Sequence, residues 1–373
     1  MEKQDNSKHT IATLGSHSAL DVCEGAKQEG FATLVVAQRG REKTYLSYYK
    51  TRKRVSDPSN KEVGIVDEVL LVNKFNEMVN NNYLDLLKKR NAIFIPNRSF
   101  SVYVGYDNIE KRFPIPIFGN KYLLRAEERN EKKSQYYLMD KAKIRRPKEI
   151  SSPEKIDNLA IVKVNEAKRS YERAFFIVSN KEDYLKKSEK LIDEGRVKRE
   201  DLKNAKIEEF IVGAHFNFNF FYSPINDELE LLGIDMRRQT DIEGYLRTTA
   251  DLQLDLLKHK QPSNIEVGHV ACTIRESLLE HVFEIAEKLV ETCKKEYAPG
   301  IIGPFALQGA IVEDNNKEEF VCFDISFRIP GSPGTRFTPY SRYLFRENIS
   351  FGRRIAMEIK AAEKRKEINK IVT

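Results

Sequence analysis

Three short apolar runs set the first constraint on this chain. Residues 11–14 (IATL), 32–37 (ATLVVA) and 92–95 (AIFI) show almost no polar alternation. That is the pattern of strands buried on both faces, as in a parallel sheet. Helical patterns separate them at 17–29 and 67–90. In the second, Val69, Leu70, Val72, Phe75, Val79, Leu84 and Leu87 form an apolar stripe. Strand–helix–strand alternation predicts an open, doubly wound sheet, in which ligands bind beyond the carboxyl ends of the strands. The turn Gly15-Ser16-His17-Ser18 falls at such an end.

The chain then changes character. Residues 121–158 are highly charged, read as a helix, and are punctuated by Pro147 and Pro153 as at a domain boundary. A compact unit follows, with strands at 159–164, 174–178 and 207–212 and a helix at 181–194. HFNFNFFYS (215–223) alternates Phe216, Phe218 and Phe220 with Asn217 and Asn219, the mark of a half-buried strand. Residues 228–236 form its antiparallel partner after the Ser223-Pro224 turn. Residues 247–264 read as an irregular surface insertion. A helix at 276–296, strands at 305–313 and 319–325, a Gly/Pro loop and a last helix at 352–370 complete the chain. The expected fold is α/β and α+β, in three segments: an α/β domain at 1–125, a small unit at 126–212 and a larger domain at 213–373. That order fits the ATP-grasp architecture.

Composition excludes several function classes. No apolar run reaches the roughly 18 residues of a membrane span, and MEKQDNSKHT lacks the core of a signal peptide. The expected place is the cytoplasm, with no membrane partner. Lys and Arg number 63 against 56 acidic residues, but the two signs are interleaved throughout. A nucleic-acid stripe would be more concentrated, so no nucleic-acid partner is expected. Cys23, Cys272, Cys293 and Cys322 have no C-x-x-C spacing, which speaks for reduced core thiols.

Four stretches carry candidate chemistry. In Ser16-His17-Ser18, a serine serves as helix cap, or the helix amides hold an anion beside the imidazole. A nucleophile–base pair would want a G-x-S-x-G elbow, which is absent. Lys163 ends a strand and precedes a glycine-free turn in which Lys168, Arg169 and Arg173 supply positive charge; an ordinary basic hairpin fits equally. Glu208 and Glu209 precede an apolar strand, where paired acids are either solvated or a ribose-binding hinge. Gln308 and Asp324 lie on successive strands, as oxygen ligands of a magnesium ion bridging phosphates or as a simple hydrogen-bonded pair. Arg328, two pleats on, would neutralise a transferring phosphoryl group as a catalytic residue.

The segments TLGSHSALDVCEGAKQEGF, FIPNRSF, IPIFGNKYLLR, IRRPKE, FYSPINDELELLGIDMR, IRESLLEHVFE, GPFALQGA, FDISFRI and FGRRIAMEIK run in order over nearly the whole chain. In these the chain resembles the archaeal formate-dependent 5-formaminoimidazole-4-carboxamide ribonucleotide (FAICAR) synthetases of the ATP-grasp superfamily. The resemblance implies an ATP-dependent ligase that formylates 5-aminoimidazole-4-carboxamide ribonucleotide (AICAR) through formyl phosphate, releasing ADP and phosphate, in purine biosynthesis. It implies Mg2+, with Mn2+ as a substitute, and a homo-oligomer. His17, Ser99, Ser16, Ser18, His269 and Arg275 then fall to the substrate. Lys148, Lys163, Glu208 or Glu209, and Glu230 fall to ATP, and Gln308 and Asp324 to the metal, where the family more often has Glu at the second place.

Three positions depart from the family pattern. AKRSYERAFF replaces a glycine-rich flap, Arg98 replaces a glycine before Ser99, and His269 replaces an asparagine. They keep two alternatives open: a paralogous ATP-grasp ligase with another acid or amine, and a nucleotide-binding protein without turnover.

Overall fold

A computed structural model describes residues 9–53, 62–129, 131–164, 174–239, 242–260, 266–314 and 317–373. The first segment holds β1 (Thr10–Leu14), α1 (Ala19–Gln28), β2 (Ala32–Gln38), β3 (Glu68–Val72), α2 (Asn81–Lys89) and β4 (Ala92–Ile95). The strands make a parallel sheet in the order β3-β2-β1-β4. The three apolar runs are therefore strands, as expected. The helix expected over 67–90 is not continuous. Its first residues are β3, its middle a 3-10 turn at Phe75–Val79, and only its end is α2. Val69, Leu70 and Val72 satisfy a helical stripe by coincidence, and pairing with β2 decides the matter. Beyond β4 lie α3 (Arg98–Val104), α4 (Lys121–Ala126) and α5 (Gln135–Lys141).

The chain divides into two compact units: 1–144 with 216–308 and 324–373, and 145–215 with 309–323. The second contains β5 (Glu149–Ile150), β6 (Ala160–Val164), β7 (Ala174–Val178), α6 (Lys181–Asp193) and β8 (Lys206–Glu209). Its strands pair antiparallel in the order β5-β8-β6-β7. Alternate residues Ala160, Val162 and Val164 enter a small core with Phe176, Val178 and Tyr184.

The rest of the chain includes β9 (Ala214–Ser223), β10 (Glu228–Gln239), α7 (Ala250–His259), β11 (Glu266–Cys272), α8 (Leu279–Glu296), β12 (Gly303–Asp314), β13 (Lys317–Ser326) and α9 (Phe351–Arg365). Their sheet has the order β11-β10-β9-β12-β13, and β12 and β13 each contribute residues to both units. The expected irregular stretch at 247–264 thus includes a helix, α7, and the start of it that is described belongs to no core. Leu252, Leu254 and Leu256 recur at every second position, a spacing that makes no single helical face, and all three are exposed. A bulge leaves Leu232 of β10 as an extra residue facing Asn219 and Phe220, and β9 is buried on both faces there, Phe221 in one core and Phe220 against Phe283 and Phe305.

One core joins the two sheets of the first unit. Ile11, Ile93 and Ile95 share it with Phe221, Leu232, Ile355 and Ile359. Two glycines let α1 and α9 cross with their backbones touching. A Cβ on Gly352 would lie 1.9 Å from the Asp21 carbonyl oxygen, and one on Gly25 would lie 2.0 Å from the Arg353 nitrogen. Among the described residues, no helix is long and apolar enough to cross a membrane.

Candidate functional site

The turn after β1 is held from β4 and α3. Asn97, the N-cap of α3, donates to the carbonyl oxygens of Leu14 (2.8 Å) and His17 (3.2 Å). Ser16 Oγ and Ser99 Oγ are 2.6 Å apart. Ser18 occupies the N-cap position of α1, but in the left-handed region (φ 64°) and without a side-chain capping bond. Its hydroxyl donates instead to the Pro330 carbonyl. The capping reading of the serines gives way for that reason: one ties the turn to α3, the other to the loop after β13. With its carbonyl fixed, His17 is exposed.

That loop brings the two histidines together. A Cβ on Gly331 would stand 3.5 Å from His17 Nδ1 and 3.6 Å from His269 Nε2. His269 projects from β11, opposite Arg237 on β10. Its Nδ1 is 2.6 Å from Asp235 Oδ2 and its Nε2 2.9 Å from Glu266 Oε1. Asn217 and Asn219 donate to the two oxygens of Asp235 (2.8 and 2.6 Å). Arg237 Nε lies 2.9 Å from Glu266 Oε2, and its Nη2 donates to Gln308 Oε1. A continuous polar network therefore runs over β11, β10, β9 and β12. Arg275 is exposed, three residues past the end of β11.

Burial opposes charge on His269, but its hydrogen bonds to Asp235 and Glu266 outweigh this and push its pKa from 6.5 to about 9. The raised value makes the protonated ring a source of folded-state stability that is complete below about pH 6.5. It is lost as pH rises through about 9. Between pH 6.5 and 9.5 the Tm of the wild type should therefore fall more steeply than that of His269→Asn. Equal slopes in thermal melts across that range would contradict the assignment.

Gln308 and Asp324 face different partners. Gln308 Nε2 donates to Ser326 Oγ on β13 (3.0 Å), while Asp324 Oδ1 accepts from Gln135 Nε2 on α5 (2.8 Å). Arg328 follows β13, and its Nη1 donates to Glu127 Oε1 (3.0 Å). Burial, set against the charge of Glu127, holds the Arg328 pKa below its ordinary value. Among the described residues, no three His, Cys, Asp or Glu side chains form a metal cluster.

The second unit holds the other expected nucleotide residues. Lys163 on β6 bonds Glu208 across the β6–β8 pair, and Glu208 is fully buried. Glu209 takes two bonds from Arg145 (3.0 and 2.8 Å) and one from the Lys148 amide (3.1 Å). Burial alone would raise its pKa, yet these donors hold it below the ordinary carboxylate value. The Lys148 side chain is exposed. The glycine-free turn with Lys168, Arg169 and Arg173 lies outside the described residues.

Glu230 has a different setting from the other expected nucleotide residues. It sits on β10 opposite Phe221, 1% exposed, with both oxygens 2.6 Å from the Arg354 guanidinium. Both oxygens are engaged by Arg354 within the core, which speaks for a place in the fold.

Asp235, Arg237, Glu266, Glu127 and Gln135 were not singled out from the sequence. Asp235 and Arg237 had a signal: polar residues two apart, the period of one strand face, like Asn217 and Asn219 on the neighbouring strand. A separate cleft of about 350 Å³, lined by Gln38, Arg41, Lys74, Phe75, Asn76 and Tyr103, contains none of the expected site residues.

Residues 183–373 match the family model described as "Domain of unknown function (DUF1297)", and residues 11–150 the one described as "Protein of unknown function (DUF1246)". The chain is 39% identical to the 5-formaminoimidazole-4-carboxamide-1-(beta)-D-ribofuranosyl 5'-monophosphate synthetase of Methanobrevibacter smithii, covering 100% of this chain and 97% of that one. With the synthetase of the same name from Methanocaldococcus jannaschii the identity is 38%, at the same coverage. Among solved structures, the IMP biosynthesis protein PurP from Thermococcus kodakaraensis superposes with a TM-score of 0.70 at 27% identity, covering 97% of this chain and 100% of that one. The ADP complex of an N5-carboxyaminoimidazole ribonucleotide synthetase superposes with a TM-score of 0.55 at 11% identity, covering 94% and 80%, a likeness of fold.

Proposed function

Since this chain belongs to the 5-formaminoimidazole-4-carboxamide ribonucleotide synthetase family, we propose that it joins formate to the amino group of AICAR at the expense of ATP. A formate oxygen takes the γ-phosphoryl group and ADP leaves. The AICAR amine then attacks the formyl carbon, phosphate departs with the C–O electron pair, and the amine loses a proton. The product is FAICAR, and the small soluble reactants suit the cytoplasm expected from the sequence.

The observation that carries this reading is the meeting of His17 and His269 beside Gly331, at the carboxyl end of a parallel sheet. Ser16, Ser18, Ser99, His17, His269 and Arg275 serve the ribonucleotide. Lys148, Lys163 and Glu208 or Glu209 serve ATP. Both reactants bring their own nucleophile, so the protein's task is positioning and charge neutralisation. The thiols agree with that division, since burial pushes Cys272 up to about 11 and Cys23 to about 12.

The donor set fits magnesium. Asp324 and Gln308 offer hard oxygens, and a cation that bridges ATP phosphates needs only one or two protein ligands. When bound, the ion would neutralise phosphate charge and fix the phosphoryl group in line. Arg328 supplies positive charge to the transferring group. Arg237, now on Gln308, is a cation that the phosphates would draw away.

The test is a steady-state assay with ATP, formate and AICAR, following ADP and formylated product. Equal amounts of both are expected. Folded protein that makes neither would overturn the reading. His269, held between two carboxylates in the substrate pocket, favours a second reading with another amine. ADP formed with a different amino-ribonucleotide, but not with AICAR, would establish that one.

A further inference from the structure

Two side chains outside the expected site grip the segment that carries Asp324 and Arg328. Glu127 directly follows α4 and Gln135 opens α5, and both are buried. Glu127 Oε1 accepts from the Phe327 amide (2.8 Å) and from Arg328 Nη1 (3.0 Å). Its Oε2 accepts from Arg98 Nη1 (3.4 Å). Gln135 Nε2 donates both to Asp324 Oδ1 (2.8 Å) and to the Glu127 carbonyl (2.6 Å), and its Oε1 accepts from the Ile325 amide (2.6 Å).

Asp324, Ile325, Phe327 and Arg328 are thus all fixed by the Glu127 carboxylate and the Gln135 amide, and that amide also bonds the Glu127 main-chain carbonyl. Ser326, the residue left out, bonds Gln308 instead. Through Arg98 the same carboxylate reaches the start of α3, where Ser99 meets Ser16. Burial pushes the Glu127 carboxyl up, and Arg328 and Arg98 act against that shift. Ending a strand needs no buried charge, whereas holding two arginines at one spacing does.

We propose that Glu127 and Gln135 are positioning residues that form one clamp, aiming Asp324 and Arg328 at the reacting phosphates and coupling them, through Arg98, to the Ser99 end of the ribonucleotide site. The proposal rests on the reading of Asp324 and Arg328 given above. Residues that orient direct ligands commonly change activity or metal affinity by about 10–100-fold when altered.

The full-length protein provides the test. Glu127→Gln keeps the shape and removes the charge. It should lower kcat by about 10–100-fold, with the KM for ATP changed by less than about threefold. In an Arg328→Lys background the same substitution should cost less than about threefold, because the two act through one interaction. An equal loss in both backgrounds overturns the clamp, and so does wild-type kcat. Gln135→Asn withdraws the amide by one methylene. Mn2+ titrated into the protein–ATP complex, with free Mn2+ read by electron paramagnetic resonance, should bind about tenfold more weakly; unchanged affinity overturns the Gln135 half. If Glu127→Gln does not fold, Glu127→Asp replaces it. Failure of both to fold assigns the carboxylate to stability alone and overturns the proposal. Wild-type rates in Arg328→Lys and Asp324→Asn would remove the underlying reading and the clamp with it. Loss of rate in those two, but not in Glu127→Gln, removes the clamp alone.

Discussion

Asp324→Asn is expected to lower kcat about a thousandfold while AICAR binds almost as before. The substitution removes one negative charge and little else. An asparagine oxygen still accepts from Gln135 Nε2, so the 2.8 Å bond that orients the side chain survives. What goes is the carboxylate that would hold a cation against the phosphates. Metal-assisted neutralisation contributes several kcal/mol to phosphoryl transfer, and each ~1.4 kcal/mol is a factor of ten in rate. The ribonucleotide residues His17 and Ser99 touch other partners, so calorimetry should find the AICAR Kd within about threefold of wild type. Asp324→Ala should lose the same rate and also destabilise the fold, because it takes the acceptor from one of the two Gln135 Nε2 bonds. Wild-type kcat in Asp324→Asn, at an unchanged Mg2+ requirement, would take Asp324 out of the metal role.

How far such a site can be read in advance depends on where the determining contact lies. β1, β2 and β4 were legible because strands covered on both faces are apolar throughout. β3 was not, since Val69, Leu70 and Val72 continue smoothly into the apolar residues of a turn and a helix, and only pairing with β2 separates them. The β9 strand was legible from its Phe/Asn alternation, and the asparagines proved to face a polar network anchored on Asp235. His17 and His269, 252 positions apart, could be linked by resemblance but not by spacing; both come close to the loop that carries Gly331. Glu127 and Gln135 were illegible for the opposite reason. They sit in a charged run that resembles a solvated helix, and burial reaches them from residues 324–328, almost two hundred positions later.

Glu230 shows the same difficulty with the sign reversed, and its substitution is the second large effect expected. Motif position assigned it to ATP, whereas its surroundings make it half of a buried network. Arg354, 3% exposed, takes both Glu230 oxygens and also donates to Glu358 Oε2 (2.9 Å). Glu358 in turn accepts from Ser223 Oγ (2.8 Å) and the Ile225 amide (3.3 Å). The guanidinium lies 4.3 Å from the Phe221 ring centroid, in a cation–π contact. Removing one member of a buried pair commonly costs about 3–5 kcal/mol, because the charge left behind has no water to turn to. Arg354→Leu should therefore be the most damaging change, since it leaves Glu230 and Glu358 facing each other without a counter-charge. Glu230→Gln should cost less, because Arg354 keeps Glu358 and a neutral acceptor. A Tm lower by about 5–10 °C is expected for Arg354→Leu, with a smaller drop for Glu230→Gln. The two roles separate in kinetics measured well below the melting range. A structural Glu230 predicts that folded Glu230→Gln keeps the wild-type KM for ATP. A tenfold rise in that KM with unchanged Tm would return Glu230 to the nucleotide.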